Sequence, residues 1–251
     1  MVPLPAILWQ SISMTGTLFV VSTPIGNLDD VSPRAIATLR ASALILCEDT
    51  RVTRKLLRRF EIATPTTSVH EHTRAAKLQS LSQRILRGAS MALVSDAGTP
   101  GISDPGARLV AGLHPGVPVI PVPGPSAVTS ILSVSGFSGD CYVFHGFPPH
   151  KKGRSTFWKQ VADEKRTSVF FESPHRVEKA MGELAAICRP ERRIVIGREL
   201  TKAFESVRRG TAASALSLLR SEPIKGEYVI ALEGDRRPLD SYDGNGYAPA
   251  A

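Results

Sequence analysis

Residues 94–106 read VSDAGTPGISDPG and join an apolar run, MALV at residues 91–94, to an amphipathic run, ARLVAGL at residues 107–113. The stretch contains three Gly, two Pro and two Asp. In a parallel sheet, ligands bind beyond the carboxyl ends of the strands, where a loop of this composition would lie. The stretch therefore predicts a buried strand, a ligand-binding loop and a helix, in that order.

Apolar runs alternate with stretches of helical period along the rest of the chain, which is typical of βα units with a parallel or mostly parallel sheet. In the first half, strands are predicted at residues 17–22, 43–48, 67–70, 91–95 and 117–122. In the second half, strands are predicted at 141–147, 167–172, 192–197 and 227–233, and helices at 173–188 and 211–221. Ser32 with Pro33 predicts a helix start, and Gly88 predicts a helix end.

The Pro and Gly residues of PVPGPSA at residues 121–127 interrupt both periodicities and predict a junction between two domains. We expect an extension at 1–15, an α/β domain at 16–122, a second α/β domain at 123–235 and a tail at 236–251. The extension and the tail lack periodicity and are predicted to be disordered, and Met14 is a second candidate start. The predicted fold class is α/β, with a mostly parallel or mixed sheet of about five strands in each domain.

The formal net charge of the 251-residue chain is +8, which favours a polyanionic partner. Two basic runs, RVTRKLLRRF at residues 51–60 and HKKGRSTFWKQ at residues 150–160, favour RNA over two solvated helix faces. Lys202 is a further candidate, with a surface salt bridge as the alternative. The cations predicted to hold phosphates are Arg51, Arg54, Lys55, Arg58, Arg59, Lys151, Lys152, Arg154 and Lys202.

The sequence also indicates a compartment. The first 14 residues contain no Lys or Arg, so they lack the basic region of a signal peptide, and no apolar run approaches the ~18 residues of a membrane span. Cys47, Cys141 and Cys188 lie far apart without a CxxC spacing, which predicts buried thiols in a reducing compartment. We therefore expect a soluble, cytoplasmic protein that does not bind a membrane.

The loops at the carboxyl ends of the first five predicted strands are all polar or rich in Gly and Pro. They read STPIGNLDD, EDTR, HEH, SDAGTPGISDPG and PGPSA. The fingerprints GxGxxG and GxxxxGK[ST] are absent, so neither a Rossmann dinucleotide site nor a P-loop is supported. The three glycines of the long loop allow close backbone approach to a ligand, and Asp96 favours a positive charge on it. The alternative is an ordinary turn before a helix, capped by Ser103 or Asp104.

Eight stretches, in this order and spacing, closely resemble the bacterial small-subunit ribosomal RNA cytidine 2′-O-methyltransferases of the tetrapyrrole-methylase-like superfamily. They read TPIGNLDDVSPRA, CEDTR, VSDAGTPGISDPG, VPGPSA, GFPP, FFESPHR, RELTKAFE and KGEYVIALEG, and they extend from about residue 16 to residue 234. The resemblance implies two α/β domains with an S-adenosylmethionine cleft between them, a fold distinct from the Rossmann methyltransferases. It also implies a homodimer that acts on ribosomal RNA or on the small ribosomal subunit.

The resemblance implies which residues contact S-adenosylmethionine. Residues 96–101 match the superfamily's cofactor loop, which meets the cofactor mainly through its backbone. The other matches follow the first strand, open the second domain or lie within it. The implied cofactor contacts are Pro24, Ile25, Asp96, Gly98, Thr99, Ser126, Ala127, Phe171 and Ala203.

The predicted reaction needs a group that accepts the proton of a ribose 2′-hydroxyl, since the sulfonium of the cofactor already activates the methyl group. Glu48 and Asp49 follow the second predicted strand, and His70 follows the third, so each is a candidate base. Ion pairing with an arginine of the next helix is the alternative for the two carboxylates. His70 and His72 lack a convincing third ligand, so no metal site is predicted.

Three other functions remain open from the sequence. A tetrapyrrole acceptor would use similar cofactor loops, although a small porphyrinoid does not need cations on two helices. A magnesium phosphohydrolase would explain SDAGTP, but its usual DxDGT loop has a second Asp where this chain has Gly98. A non-catalytic RNA-binding module would explain the basic runs alone.

Overall fold

The computed structural model describes residues 15–70, 73–104 and 106–235. The chain separates into two compact units, with the boundary between Pro125 and Ser126, inside PVPGPSA. Residues 1–14, His72 and the predicted tail lie outside the described residues. No helix in the described part of the chain is long and apolar enough to cross a membrane.

The first unit contains a five-stranded sheet in the order β3-β2-β4-β1-β5, and every pair of neighbours is parallel. Its strands are β1 (Leu18–Val21), β2 (Leu44–Cys47), β3 (Thr66–Ser68), β4 (Met91–Leu93) and β5 (Val119–Val122). Its helices are α1 (Pro33–Ala41), α2 (Thr50–Arg59), α3 (Ala75–Leu86) and α4 (Gly106–Ala111).

Helices cover both faces of this sheet. Successive residues of β2 alternate between two apolar clusters, with Ile45 packed among side chains of α1 and α2 and Leu46 packed among side chains of α3 and α4. A strand that is buried on both faces reads as a continuous apolar run, as LILC does. Because all five strands are parallel, their carboxyl ends lie at one edge of the sheet.

The second unit contains a mixed sheet in the order β6-β7-β10-β8-β9, in which only the pair β6 and β7 is parallel. Its strands are β6 (Tyr142–Phe144), β7 (Thr167–Glu172), β8 (Arg193–Arg198), β9 (Ser206–Thr211) and β10 (Tyr228–Leu232). Its helices are α5 (Ala127–Ser135), α6 (Arg154–Asp163), α7 (Val177–Ile187) and α8 (Ala215–Arg220). The predicted fold class, with about five strands in each sheet, is confirmed.

Of the local features predicted from the sequence, the two helix ends are confirmed, whereas the burial of one cysteine and the set of strands predicted in the second unit need correction. Ser32 accepts a hydrogen bond from the backbone N–H of Ala35, and Gly88 follows α3 with a φ of +102°, so both predicted helix ends are confirmed. The prediction that Cys141 is buried was wrong, because it precedes the edge strand β6 and is exposed. Strand β9 was missed because SVRRGT is a partly exposed edge strand without an apolar run.

Arg192 is a buried cation at the carboxyl end of α6. Only 2% of its surface is exposed. Its guanidinium donates hydrogen bonds of 2.6–3.1 Å to the backbone oxygens of Val161, Ala162, Glu164 and Glu233. The last carbonyls of a helix have no partner within the helix, so this side chain supplies one.

Arg192→Met should lower the free energy of unfolding by about 3 kcal/mol or more, because it leaves several buried carbonyls without a donor. Arg193→Met is the matched control: its guanidinium is exposed and pairs with Glu233, and it should change stability by less than about 1 kcal/mol. Urea denaturation of both variants measures the difference. Equal destabilisation would contradict this role for Arg192.

Candidate functional site

The loops that follow β1, β2 and β4 are hydrogen-bonded to one another at the carboxyl edge of the first sheet. Thr23, after β1, exchanges two backbone hydrogen bonds with Gly98, at 2.9 and 3.1 Å. Asp49, after β2, donates its backbone N–H to Oδ1 of Asp96, after β4, at 3.1 Å. The parallel topology thus brings together residues that are distant in sequence.

Asp104 shapes the loop at residues 94–106. Its Oδ1 accepts hydrogen bonds from the backbone N–H groups of Gly101 and Gly106, at 2.6 and 2.7 Å. A Cβ atom at Gly106 would lie 2.6 Å from the nitrogen of Gly101, so no larger residue fits without a shift of the loop. Asp104 therefore orders the turn before α4, as the alternative interpretation of this sequence expected.

Gly98 adopts a backbone conformation that favours glycine. Its backbone N–H is already donated to Thr23, and its φ is +77°. A Cβ atom there would make only an ordinary contact, 3.5 Å from Cγ2 of Ile25. The glycine is needed for its backbone conformation, not for space. Its neighbour Thr99 is fixed as well, since its hydroxyl lies 2.9 Å from that of Ser22.

The carboxylates at this edge interact strongly. Burial raises the pKa of the Glu48 carboxyl, and the charges of Asp96, Asp104 and Asp49 raise it further. Burial is also the main cause that raises the pKa of Asp96, against the hydrogen bond from the backbone of Asp49. His70 is close enough to lower the pKa of Glu48. A bound cation would relieve the repulsion between these carboxylates.

Asp49 has a structural partner. Its carboxylate caps α2 by accepting the backbone N–H of Arg51 at 2.8 Å, and it forms an ion pair with the same guanidinium at 2.6 Å. The hydrogen bonds from Arg51 lower the pKa of Asp49 to about 2. For Asp49, the structure therefore shows the ion pair that the sequence analysis gave as the alternative to a role as the base. Among the described residues, no hydrogen bond or ion pair engages the Glu48 carboxylate.

Two pockets flank Ser95 and Asp96. One, of about 110 Å³, is lined by both residues together with Thr23, Pro24 and Lys55. The other is smaller, and Glu48 and Asp104 lie in its wall beside Ser95. Sequence reasoning missed Ser95, which is buried and donates to the backbone oxygens of the same loop. Its position just beyond the carboxyl end of β4 was the only indication that it helps to order this loop.

The predicted cofactor residues of the second unit occupy two elements and a turn. Ser126 is the N-cap of α5, and Ala127 is the first residue of that helix. Phe171 lies on β7, and its ring packs edge-on against Phe144 with the centroids 5.0 Å apart. Ala203 is exposed in the turn between β8 and β9.

The cations of α2 form a stripe opposite to its buried face. Thr53, Leu56 and Leu57 point into the unit. The exposed cations are Arg51, Arg54, Lys55, Arg58 and Arg59. Two of them have acidic neighbours, since Arg51 pairs with Asp49 and Arg59 lies 3.4 Å from Asp29. The sequence spacing of this basic run therefore corresponds to one solvent-facing surface of an amphipathic helix.

Arg154 was wrongly predicted to hold phosphate. Only 6% of its surface is exposed, and its guanidinium lies 2.6 Å from the carboxylate of Glu183. Burial of an arginine requires such a partner, so the side chain is not available to a phosphate in solution. Lys151 and Lys152, in the same basic run, are exposed.

Lys202 is engaged in ion pairs. Its ammonium lies 2.8 Å from Glu199 and 3.0 Å from Glu227, and the side chain is about three-quarters buried. Burial lowers the pKa of Lys202, but the hydrogen bonds that it donates to these two carboxylates outweigh this effect and raise the pKa. The structure thus supports the salt bridge that the sequence left as the alternative to RNA binding.

A family model described as Tetrapyrrole (Corrin/Porphyrin) Methylases matches residues 17–216. Solved structures share the fold. The methyltransferase CobJ superposes with a TM-score of 0.63 at 18% identity, over 89% of this chain and 97% of that one. Uroporphyrin-III C-methyltransferase from Thermus thermophilus, complexed with S-adenosyl homocysteine, has a TM-score of 0.59 at 16% identity, over 87% and 97%. The fold is that of the tetrapyrrole methylases.

Proteins of higher identity bear the name ribosomal RNA small subunit methyltransferase I. The one from Synechocystis sp. is 43% identical over 221 residues, which cover 87% of this chain and 79% of the relative. The one from Xylella fastidiosa is 45% identical over 226 residues, which cover 88% and 83%. The chain therefore belongs to the tetrapyrrole methylase family, in the group that contains these ribosomal RNA methyltransferases.

Proposed function

We propose that this chain transfers a methyl group from S-adenosylmethionine to the ribose 2′-hydroxyl of a cytidine in small-subunit ribosomal RNA. The observation that carries the proposal is the identity of 43–45% to the two relatives with the ribosomal RNA methyltransferase name. The cationic stripe on α2 supports a polyanionic acceptor rather than a tetrapyrrole.

The carboxyl edge of the first sheet fits S-adenosylmethionine, which carries a positive sulfonium and a positive amino group. Glu48 and Asp96 are crowded carboxylates whose raised pKa values favour a cationic ligand. The hydrogen bonds of Asp104 and Thr23 fix the loop before a ligand arrives, which reduces the entropy lost on binding. The cofactor contacts that we propose are Pro24, Ile25, Asp96, Gly98, Thr99, Ser126, Ala127, Phe171 and Ala203.

The chain's own residues must orient the ribose hydroxyl and accept its proton, because the cofactor supplies an already activated methyl group. Glu48 is the base that we assign, since Asp49 is occupied by the cap of α2 and the ion pair with Arg51. A pKa raised towards neutrality makes a carboxylate a stronger base. His70 lies near Glu48 and is the second candidate.

The exposed cations would hold phosphates without reading sequence. Those on α2 are Arg51, Arg54, Lys55, Arg58 and Arg59, and those of the second unit are Lys151 and Lys152. Lys55 also lines the pocket beside Asp96, so the phosphate-binding surface begins at the cofactor loop. Selection of one cytidine would then depend on RNA shape and on a base that is turned out of its stack.

Small ribosomal subunits that lack the modification, incubated with the protein and labelled S-adenosylmethionine, test the proposed function. We expect label in the ribosomal RNA and, after alkaline hydrolysis, an alkali-resistant dinucleotide, because a 2′-O-methyl group removes the hydroxyl that attacks the phosphodiester. Mass spectrometry should identify 2′-O-methylcytidine. A methyl group on the base, or transfer only to a porphyrinoid acceptor assayed in parallel, would refute the proposal.

We further propose that the enzyme acts as a homodimer in the bacterial cytoplasm, where small ribosomal subunits are assembled. Light scattering of the purified protein tests the oligomeric state, and a mass of one chain across the working concentration range would exclude the dimer. No metal is required for the proposed chemistry, and we propose no metal site.

The double variant Arg54→Gln with Arg58→Gln should weaken RNA binding in a salt-dependent way. Each lost phosphate contact should reduce the slope of log K against log salt concentration by roughly 0.7–0.9, and affinity for S-adenosylmethionine should not change. Arg84→Gln with Arg87→Gln is the control, because both arginines are exposed at the end of α3. An equal change of slope in both double variants would leave the α2 stripe without a specific role.

A further inference from the structure

Two arginine side chains fix the backbone of the loop at residues 146–153, between β6 and α6. Nη1 of Arg154 donates to the backbone oxygen of Pro149 at 2.8 Å, and Nη1 of Arg176 donates to that of Pro148 at 3.2 Å. We call this segment, which includes GFPP and the two lysines after it, the GFPP loop. The backbone of the loop is therefore held by the side chains of two arginines, one at the start of α6 and one at the start of α7.

These arginines are in turn held by two carboxylates, one fully buried and one partly exposed. Glu172, whose side chain is fully buried, lies 2.6 Å from Arg176, and Glu183 lies 2.6 Å from Arg154. Glu183 also accepts a hydrogen bond from Nε1 of Trp158 at 2.7 Å. Buried ion pairs contribute little net stability, and their best-supported use is to specify one geometry. The motif GFPP and the residues Glu172 and Arg176 of FFESPHR, to which the proposed chemistry gives no role, thus form one network that specifies the shape of this loop.

The GFPP loop presents an aromatic ring to solvent. Phe147 is 51% exposed, although its ring packs edge-on against Phe171 with the centroids 5.5 Å apart. Phe171 packs in the same way against Phe144 on β6. A chain of aromatic contacts therefore supports one side of the Phe147 ring, while the rest of the ring is open. A rigid aromatic group offers a large contact area with little loss of side-chain entropy on binding.

Two lysines follow Phe147 in the GFPP loop. Lys151 and Lys152 are exposed four and five residues further along the same loop. Proteins that bind single-stranded nucleic acid combine cations that follow the phosphates with aromatic side chains on which bases stack. A protein partner would not call for two exposed lysines in the same loop, since lysine is depleted in protein interfaces.

We propose that Phe147 stacks on an unpaired base of the RNA substrate, while Lys151 and Lys152 bind the adjoining phosphates. Arg154 and Arg176 are positioning residues that hold the loop in the shape that presents the ring. The inference rests on the proposed function, because it needs an RNA substrate. It extends the phosphate-binding surface by a contact that only a single-stranded segment can make.

Substitutions at Phe147 separate stacking from apolar contact. Phe147→Tyr retains the ring and should retain affinity for a single-stranded RNA of roughly 10 nucleotides, a length within the range bound by single-strand-binding folds. Phe147→Leu retains an apolar side chain without a π-face and should bind this RNA about 5- to 150-fold more weakly, since stacking contributes about that factor per base. Duplex RNA, whose bases are already stacked, should bind both variants equally.

Tyr142→Leu is the matched control, because Tyr142 is a 37% exposed aromatic residue with no assigned role on β6, the edge strand that precedes the GFPP loop. It should leave the affinity for single-stranded RNA unchanged. Equal affinity of Phe147→Leu and the wild type, or an equal loss in Tyr142→Leu, would overturn the inference. A loss of S-adenosylmethionine affinity or a changed oligomeric mass in Phe147→Leu would assign the ring to another contact and would also overturn it. Failure of the wild type to bind or methylate any RNA would refute the proposed function itself.

A double-mutant cycle tests the positioning role of Arg176. Arg176→Lys retains the charge but cannot reproduce the fork that joins Glu172 to the oxygen of Pro148. If Arg176 acts through Phe147, the loss of RNA affinity in Arg176→Lys should largely disappear when Phe147 is already Leu. Additive losses would contradict this role. Should Arg176→Lys fail to fold, the Phe147 series still decides the stacking proposal.

Discussion

Glu48→Gln should lower the turnover number by about 10²–10⁴-fold while affinity for S-adenosylmethionine falls much less. The factor is the usual contribution of a general base. Glu48 follows β2, its pKa is raised by burial and by neighbouring carboxylates, and none of the described residues engages its oxygens. The glutamine retains the shape of the side chain but cannot accept a proton, so single-turnover methyl transfer to small subunits is the measurement.

Asp49→Asn is the matched control for this prediction. Asn is as good an N-cap as Asp, so the start of α2 should persist when the ion pair with Arg51 is lost. We therefore expect Asp49→Asn to lose less than about one order of magnitude in turnover. Equal and large losses of turnover in both variants would indicate that catalysis needs the negative charge of this edge rather than a proton acceptor at Glu48. Full activity in Glu48→Gln would remove it from the mechanism and leave His70 as the candidate.

The raised pKa of Glu48 determines how the rate of methyl transfer should depend on pH. A base acts in its deprotonated form, so the rate should fall as the pH is lowered through the pKa of Glu48. Because burial and the nearby carboxylates raise that pKa, the fall should begin at a higher pH than for an ordinary glutamate. In Glu48→Gln the remaining rate should lack this acidic limb.

Gly98→Val should reduce S-adenosylmethionine affinity by one to two orders of magnitude and leave the fold intact. A β-branched residue at a φ of +77° is strained by about 1–3 kcal/mol or more. The strain is relieved only if the paired backbone of Thr23 and Gly98 opens, which releases the loop at residues 94–106. Calorimetric titration with the cofactor measures the loss.

Gly136→Val controls for backbone strain alone. Gly136 ends α5 with a φ of +73°, and a Cβ atom there would meet nothing within 4 Å. Both variants should lose similar stability, whereas only Gly98→Val should lose cofactor affinity. Wild-type cofactor affinity in a folded Gly98→Val protein would refute the assignment of this loop.

The fold class and the loops at the carboxyl edge of the first sheet could be predicted from the sequence because both depend on local patterns. LILC and MALV are buried on both faces, so they read as continuous apolar runs, and the polar loops after them mark the carboxyl edge. Strand β9 escaped because an edge strand needs no apolar pattern. The same is true of Cys141, whose exposure follows from its place before an edge strand.

The roles of individual charged side chains could not be predicted, because they depend on partners that are distant in sequence. Arg154 and Lys151 stand in one basic run, yet of these two only Arg154 meets a carboxylate among the described residues, that of Glu183 on α7. The pairing of Gly98 with Thr23 is likewise visible only in the fold. The different roles of Asp49 and Glu48 could be assigned only once the structure showed that Asp49 caps α2.

The first strand of the described residues is an interior strand of its sheet, and this placement affects how the protein is made. Strand β1 pairs with β4 and β5, so Leu18 has its partners at Met91 and Val119. A ribosome adds about 5–20 residues per second, so β1 waits roughly 5–20 s for the last of these partners. During that time its apolar residues are exposed on the nascent chain. The edge that we assign to the cofactor is therefore completed only after nearly half of the protein has been synthesised.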